Sequence, residues 1–154
     1  MLPAVMNPTL QPKADCEAVM NFGLPLAQEM LRRNGEFLPF GAAMRPNGEM
    51  VCLGAYDGRN YPSLSGSFAD LIQSLKEAFV AGARRQEYLA TALFYEVTVT
   101  AVSGGERVDA VAVSLNHRAG YSVIVLLPFT IEDGNVVYDR PRAQPGEADI
   151  FRQD

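Results

Sequence analysis

The sequence predicts one α+β domain of residues 1–154, in which two main helices pack against a mainly antiparallel sheet of five to six strands. One segment, residues 68–83, repeats its apolar residues at helical spacing. Residues 89–131 instead alternate apolar and polar side chains, as strands do. Short turn sequences, not helices, separate these strands, which favours antiparallel pairing. The predicted order is α-β-β-α-β-β-β.

The first helix is predicted over residues 13–33. Arg32 and Arg33 suit its last turn, and Gly35 stands where a C-cap glycine is expected. Gly23 and Pro25 fall in the middle of the segment, where proline removes a hydrogen-bond donor. We therefore expect a kinked helix or two short helices.

A β-hairpin is predicted over residues 37–56, because the turn sequence at residues 45–49 contains Pro46 and an Asn-Gly pair. The second helix follows, with Ser67 as its N-cap and Asp70 in its first turn. Its apolar face is formed by Phe68, Leu71, Ile72, Leu75, Phe79, Val80 and Ala83.

Three long strands are predicted over residues 89–102, 107–117 and 121–131, and a short edge strand over 136–138 after an Asp-Gly-Asn turn. The third strand is apolar on both faces, which indicates a central position. Residues 1–12 and 139–154 are predicted to be irregular, with Ile150 and Phe151 holding the tail to the body.

Composition restricts the class of function. The formal net charge of −5 makes nucleic acid or an anionic membrane an unfavourable partner. The longest apolar stretch, residues 123–127, is too short to span a membrane, and the first residues do not resemble a signal peptide. We therefore expect a cytoplasmic protein, with Cys16 and Cys52 as free thiols.

No catalytic, metal-binding or cofactor-binding pattern is recognisable, so no catalytic residue, metal or cofactor is predicted. His117 is the only histidine, and it is expected to lie partly exposed beside a turn. Cys52 is expected to be a buried structural thiol. A further set of acidic residues is expected to form a solvated rim and matches no calcium loop: Glu96, Asp109, Glu132, Asp133 and Asp139.

The loop at residues 56–62 is the candidate interaction segment. Tyr56, Arg59 and Tyr61 are of residue types that are enriched in protein interfaces. The competing interpretation is an ordinary connecting loop, since tyrosine and asparagine also occur at strand ends and turns.

The order of elements over residues 13–131 resembles the roadblock and profilin-like group, in which a five-stranded sheet carries helices. That resemblance implies a dimeric scaffold or a small-ligand sensor. The segment Gly-Glu-Phe-Leu-Pro-Phe-Gly at residues 35–41 is similar to one in uncharacterised bacterial single-domain proteins. It implies no function or site residue.

Two hypotheses of function follow. The first is a non-catalytic interaction or scaffold module that binds a protein partner or forms a homodimer. An immunity or antitoxin-like role is one version of it, by analogy with small acidic proteins. The alternative is a small-molecule-binding protein or an enzyme, with a pocket between the first helix and the sheet near the first hairpin, lined by Phe37, Phe40, Tyr56 and Tyr95.

Overall fold

A computed structural model describes residues 10–54, 68–101 and 105–151. These residues form two helices and seven strands, so the α+β class and the antiparallel sheet are confirmed. The sheet has seven strands where five to six were predicted, because residues 142–145 add one beyond the predicted edge strand at 136–138. The elements in chain order are α1 (Leu10–Asn34), β1 (Phe40–Met44), β2 (Met50–Leu53), α2 (Phe68–Arg84), β3 (Ala90–Thr100), β4 (Arg107–His117), β5 (Ser122–Glu132), β6 (Asn135–Tyr138) and β7 (Arg142–Pro145).

Every strand pair is antiparallel, in the order β2-β1-β3-β4-β5-β6, and β7 also pairs with β5. β4 and β5 are therefore interior strands, as their apolar sequences predict. Among the described strands, the long crossover is the one from β2 to β3, and it contains α2. Neither helix of the described chain is long and apolar enough to cross a membrane.

The two helices lie on opposite faces of the sheet. Ala42 packs in a cluster with the apolar residues of α1, whereas its neighbour Ala43 packs in a cluster with Leu75 and Phe79 of α2. Successive residues of a strand point to opposite faces. We call these the α1 face and the α2 face.

The centre of the α1 face is a group of phenylalanines. The rings of Phe40 and Phe94, which are register partners on β1 and β3, stack with centroids 4.7 Å apart. Phe37 meets Phe40 edge-on at 5.9 Å. Gly23 of α1 lies directly over Phe94, and a Cβ there would collide with the ring. The absence of a side chain at this glycine thus permits α1 to lie close to β3.

α1 is one uninterrupted helix through Gly23 and Pro25, so the prediction of two short helices is wrong. Tertiary packing outweighs the local cost of these residues, because Val19, Ala27 and Leu31 on both sides of them are fully buried. The helix ends as predicted, with Gly35 at φ 75° and its N–H donating to the Leu31 carbonyl at 2.8 Å.

β6 and β7 share the outer edge of β5 and are separated by a bulge. Phe129 pairs with Tyr138, and Leu126 pairs with Arg142. An interval of three residues on β5 therefore lies opposite an interval of four residues on β6 and β7. The bulge lies beside Pro128, which has no N–H to donate to the edge strand. The tail predicted to be irregular therefore contains a strand at residues 142–145.

Candidate functional site

The outer edge of β6 is the candidate site, and it is created by the turn that precedes it. Asp133 and Gly134 have positive φ values of 52° and 78°, as both central residues of a type I′ turn require. Glu132 therefore faces Asn135 across a two-residue hairpin. The predicted turn and edge strand are both confirmed.

The geometry of this hairpin determines which backbone groups of β6 are free to bind. In an antiparallel ladder, the residues that flank a two-residue turn bond to each other, and every second residue repeats that pattern. Asn135 and Val137 therefore point their N–H and C=O groups toward β5, and the Asp139 N–H continues the series by donating to Pro128 O at 2.8 Å. The N–H and C=O groups of Val136 and Tyr138 point outward, and no other described residue pairs with them.

Apolar side chains flank this edge on both faces. Val137 is 44% exposed on the α2 face, and Ile131, the register partner of Val136, is 41% exposed on the α1 face. Edge strands are usually protected by charged residues, prolines or bulges. β7 has Pro145 and the neighbouring bulge, but Asn-Val-Val-Tyr in β6 contains neither charge nor proline.

A shallow cavity of about 240 Å³ adjoins β6 on the α2 face. Arg142 of β7 reaches across this face, and its Nη2 donates to the Thr100 carbonyl of β3 at 2.8 Å. Two strands separate β3 from β7, about 14 Å in a flat sheet, so the sheet must curl here. The cavity is lined by Ala101, Val108, Pro128, Phe129, Thr130, Val137, Tyr138 and Asp139.

Tyr138, the last residue of β6, is half-buried, and its hydroxyl is buried without a hydrogen-bond partner in the described structure. Burial raises the pKa of this phenol. It therefore stays protonated at neutral pH and is a neutral group at the end of the edge.

His117 is buried, not partly exposed as predicted. The Ala119 N–H donates to its Nδ1 at 2.9 Å, so that nitrogen is an acceptor, and the proton belongs to Nε2. Nε2 then donates to Asp15 Oδ2 at 2.9 Å, and Gln11 donates to Oδ1 of the same carboxylate at 2.7 Å. Asp15, in α1, lies 102 residues from His117, and no sequence signal joins the two.

The two cysteines differ in their surroundings. Cys16, beside Asp15, is fully buried, and burial together with the charges of Asp15 and Glu17 raises the pKa of its thiol to about 12. Cys52 is exposed on β2, so its predicted burial is wrong. Cys52 is the register partner of Ala42 and so points to the α1 face, but β2 is an outer strand of the sheet, where the side chain is left exposed.

Of the four aromatic residues predicted to line a pocket near the first hairpin, the three that the structure describes do not lie on one face of the sheet. Phe37 and Phe40 fill the core of the α1 face, and Tyr95 belongs to the cluster on the α2 face. Tyr56, with Arg59 and Tyr61 of the predicted interaction loop, lies outside the described residues.

The predicted acidic rim is largely exposed, and the described residues contain no group of three or more potential ligands placed to hold a metal ion. Glu96 is the exception to this exposure. It is half-buried and accepts the Phe37 N–H at 2.7 Å, and burial raises its pKa, with Asp109 and Glu36 adding to the effect.

Comparison of the chain with protein-family models, with curated proteins and with solved structures found no match.

Proposed function

We propose that this protein is a non-catalytic scaffold module that joins two copies of the chain through their β6 edges into one continuous antiparallel sheet. The observation that carries the proposal is the unprotected β6 edge, with outward backbone groups at Val136 and Tyr138 and exposed apolar side chains on both faces. A strand added at such an edge gains both backbone hydrogen bonds and side-chain contacts.

A second copy is the favoured occupant, because β6 is complementary to itself. An antiparallel pair centred on Val137 places Val136 of one copy opposite Tyr138 of the other, so that the outward N–H and C=O groups of both residues meet. The two Val137 side chains then lie directly opposite each other on the α2 face. This is an isologous, two-fold arrangement, which closes at two copies.

Chemistry at His117 or Cys16 is disfavoured by the same structure. Both ring nitrogens of the single histidine are engaged in hydrogen bonds, and Cys16 is buried with a protonated thiol. A general base needs a free lone pair within reach of a substrate, and a nucleophilic cysteine needs its thiolate.

The oligomeric state tests the proposal. We expect sedimentation equilibrium to detect a weak, concentration-dependent dimer, with a dissociation constant in the micromolar range, because a four-residue edge is a small interface. Val136→Pro removes one outward N–H without removing a bond to β5, and it should give a monomer. Val136→Thr keeps the N–H and a β-branched side chain, and is the matched control. A wild-type protein that remains monomeric at several hundred micromolar contradicts the proposal.

Cross-linking tests the register. In a Cys52→Ser background, Val137→Cys should form an intermolecular disulfide under mild oxidation, because opposed residues in an antiparallel pair have the spacing that a disulfide needs. Asn135→Cys is the control. In this pair residue 135 of one copy would lie opposite residue 139 of the other copy, and so four residues away from residue 135 of that other copy. Equal cross-linking of both variants would rule out a pair centred on Val137.

A further inference from the structure

The attachment of α2 to the sheet differs from that of α1. Three residues of α2 are buried, Leu75, Phe79 and Gly82, and the helix packs mainly on β1 and β3. α1 buries five apolar residues and is also joined to β4 through the buried Asp15–His117 hydrogen bond. The α2 side of the molecule therefore has the smaller share of buried contacts.

The end of the chain supplies additional contacts to α2. After β7 the chain passes Ser122 closely: the Gly146 N–H donates to its carbonyl at 3.2 Å, and the Ala148 N–H donates to its Oγ at 3.0 Å. A side chain at Gly146 would collide with Ser122. Ser122 in turn donates to Asn116 Oδ1 at 2.8 Å, so this part of the tail is fixed to both β4 and β5.

Residues 147–151, which we call the clasp, then contact α2. Lys76 Nζ lies 3.2 Å from Glu147 and 2.9 Å from Asp149. Ile150 is 3% exposed and belongs to the same cluster as Leu75 and Phe79. The clasp thus connects α2 to the β4–β5 half of the sheet, whereas the helix itself packs mainly on β1 and β3.

We propose that the clasp holds α2 on the sheet, and that α2 and the clasp open together as one unit while the α1 half of the molecule stays folded. Proteins open in such cooperative units, and the units with the fewest buried contacts open most readily. The opening uncovers the apolar side of β1 and β3 at Ala43 and Leu93, a surface that is buried in the closed protein.

Hydrogen exchange on the full-length protein tests this proposal, with mass spectrometry resolving α2 from β4. In the wild type, the amides of α2 should exchange faster than those of β4. Ile150→Ala removes a contact that exists only in the closed state, and it should speed exchange in α2 by at least about tenfold. Ile150→Val is a milder variant, with an expected increase of about two- to tenfold.

Val113→Ala is the control, because Val113 is fully buried on the α1 face. Its contacts persist when α2 opens, so this variant should speed exchange in β4 and leave α2 unchanged. Equal acceleration of α2 by Val113→Ala and Ile150→Ala would mean that the molecule opens as one unit, and it would overturn the proposal. An α2 that does not respond to either change at Ile150 would also overturn it.

Discussion

His117 Nε2 lies 2.9 Å from Asp15 Oδ2, and both side chains are buried. This contact joins the first turns of α1 to the end of β4. The Ala119 N–H occupies the other ring nitrogen, so the neutral imidazole is fixed in one tautomer by two hydrogen bonds. The pair therefore has a positioning role in the fold and fixes the start of α1 over the sheet.

Asp15→Ala should destabilise the protein by about 1–3 kcal/mol, because it leaves a buried Nε2–H without an acceptor. Asp15→Asn should cost less, since its amide oxygen can still accept that hydrogen. Urea unfolding at neutral pH measures both. Gln11→Ala, which removes only the outer member of the network, is the control. Equal stability of Asp15→Ala and wild type would show that the contact is dispensable.

Alkaline pH should destabilise the fold through Cys16. The thiol has a pKa of about 12 in the folded protein against about 9 ordinarily, so above pH 9 the unfolded chain loses this proton first. The folded state then binds more protons than the unfolded state, and stability falls as pH rises, by about 1.4 kcal/mol per pH unit for one such group.

Urea unfolding at pH 8, 9 and 10 under reducing conditions tests this effect. Cys16→Ala should flatten the decline of the unfolding free energy with rising pH, whatever stability the substitution costs at pH 8. Cys52→Ala, at an exposed position, is the matched control. Parallel curves for wild type and Cys16→Ala would show that another group causes the decline.

Gly23→Ala should destabilise the protein by about 1–3 kcal/mol, although alanine is the better helix former by about 1 kcal/mol. The added methyl group collides with the Phe94 ring. Phe94→Leu should therefore relieve part of the cost, and a double-mutant cycle by urea unfolding measures the coupling between the two positions. Strict additivity of the two changes would contradict the predicted collision.

At pH 7 the Glu96→Gln variant should be as stable as the wild type or more stable. The folded protein raises the pKa of Glu96, so its ionised form is disfavoured there, while the glutamine oxygen can still accept the Phe37 N–H. A raised pKa stabilises the folded state as pH falls, and the advantage of the variant should therefore shrink as pH falls from 7 toward the ordinary pKa of a glutamate. Glu132→Gln, exposed on β5, is the control for thermal unfolding measured from pH 4 to 7. A constant difference across that range would contradict the assignment.

The local features of the fold follow from the sequence, because each depends on residues close together in the chain. The apolar repeat of α2 predicts its helix, Gly35 predicts the end of α1, and Asp133-Gly134 predicts the hairpin that creates β6. β7 was missed because Arg-Ala-Gln-Pro has no strand pattern, and it pairs only because β5 offers an edge. The continuity of α1 was missed because Phe94, which Gly23 accommodates, is distant in the sequence.

The candidate site was only partly predictable. The edge strand and its turn have local signals, but the direction of the Val136 and Tyr138 backbone groups depends on the register with β5. The pairing of Asp15 with His117 joins distant segments and has no signal in one sequence. The exposure of Cys52 depends on β2 being an outer strand, which the alternation of its residues does not reveal.

The contact between Asp15 and His117 also has a consequence for synthesis of the protein on the ribosome. α1 is synthesised before β4, and His117 follows Asp15 by 102 residues. A ribosome that adds about 5–20 residues per second needs several seconds or more to make this stretch. During that interval α1 can pack on β1 and β3 as they emerge but not yet on β4, so part of its apolar stripe stays uncovered. The nascent chain therefore depends on late, long-range pairing, and its first helix is the segment that a chaperone would need to shield.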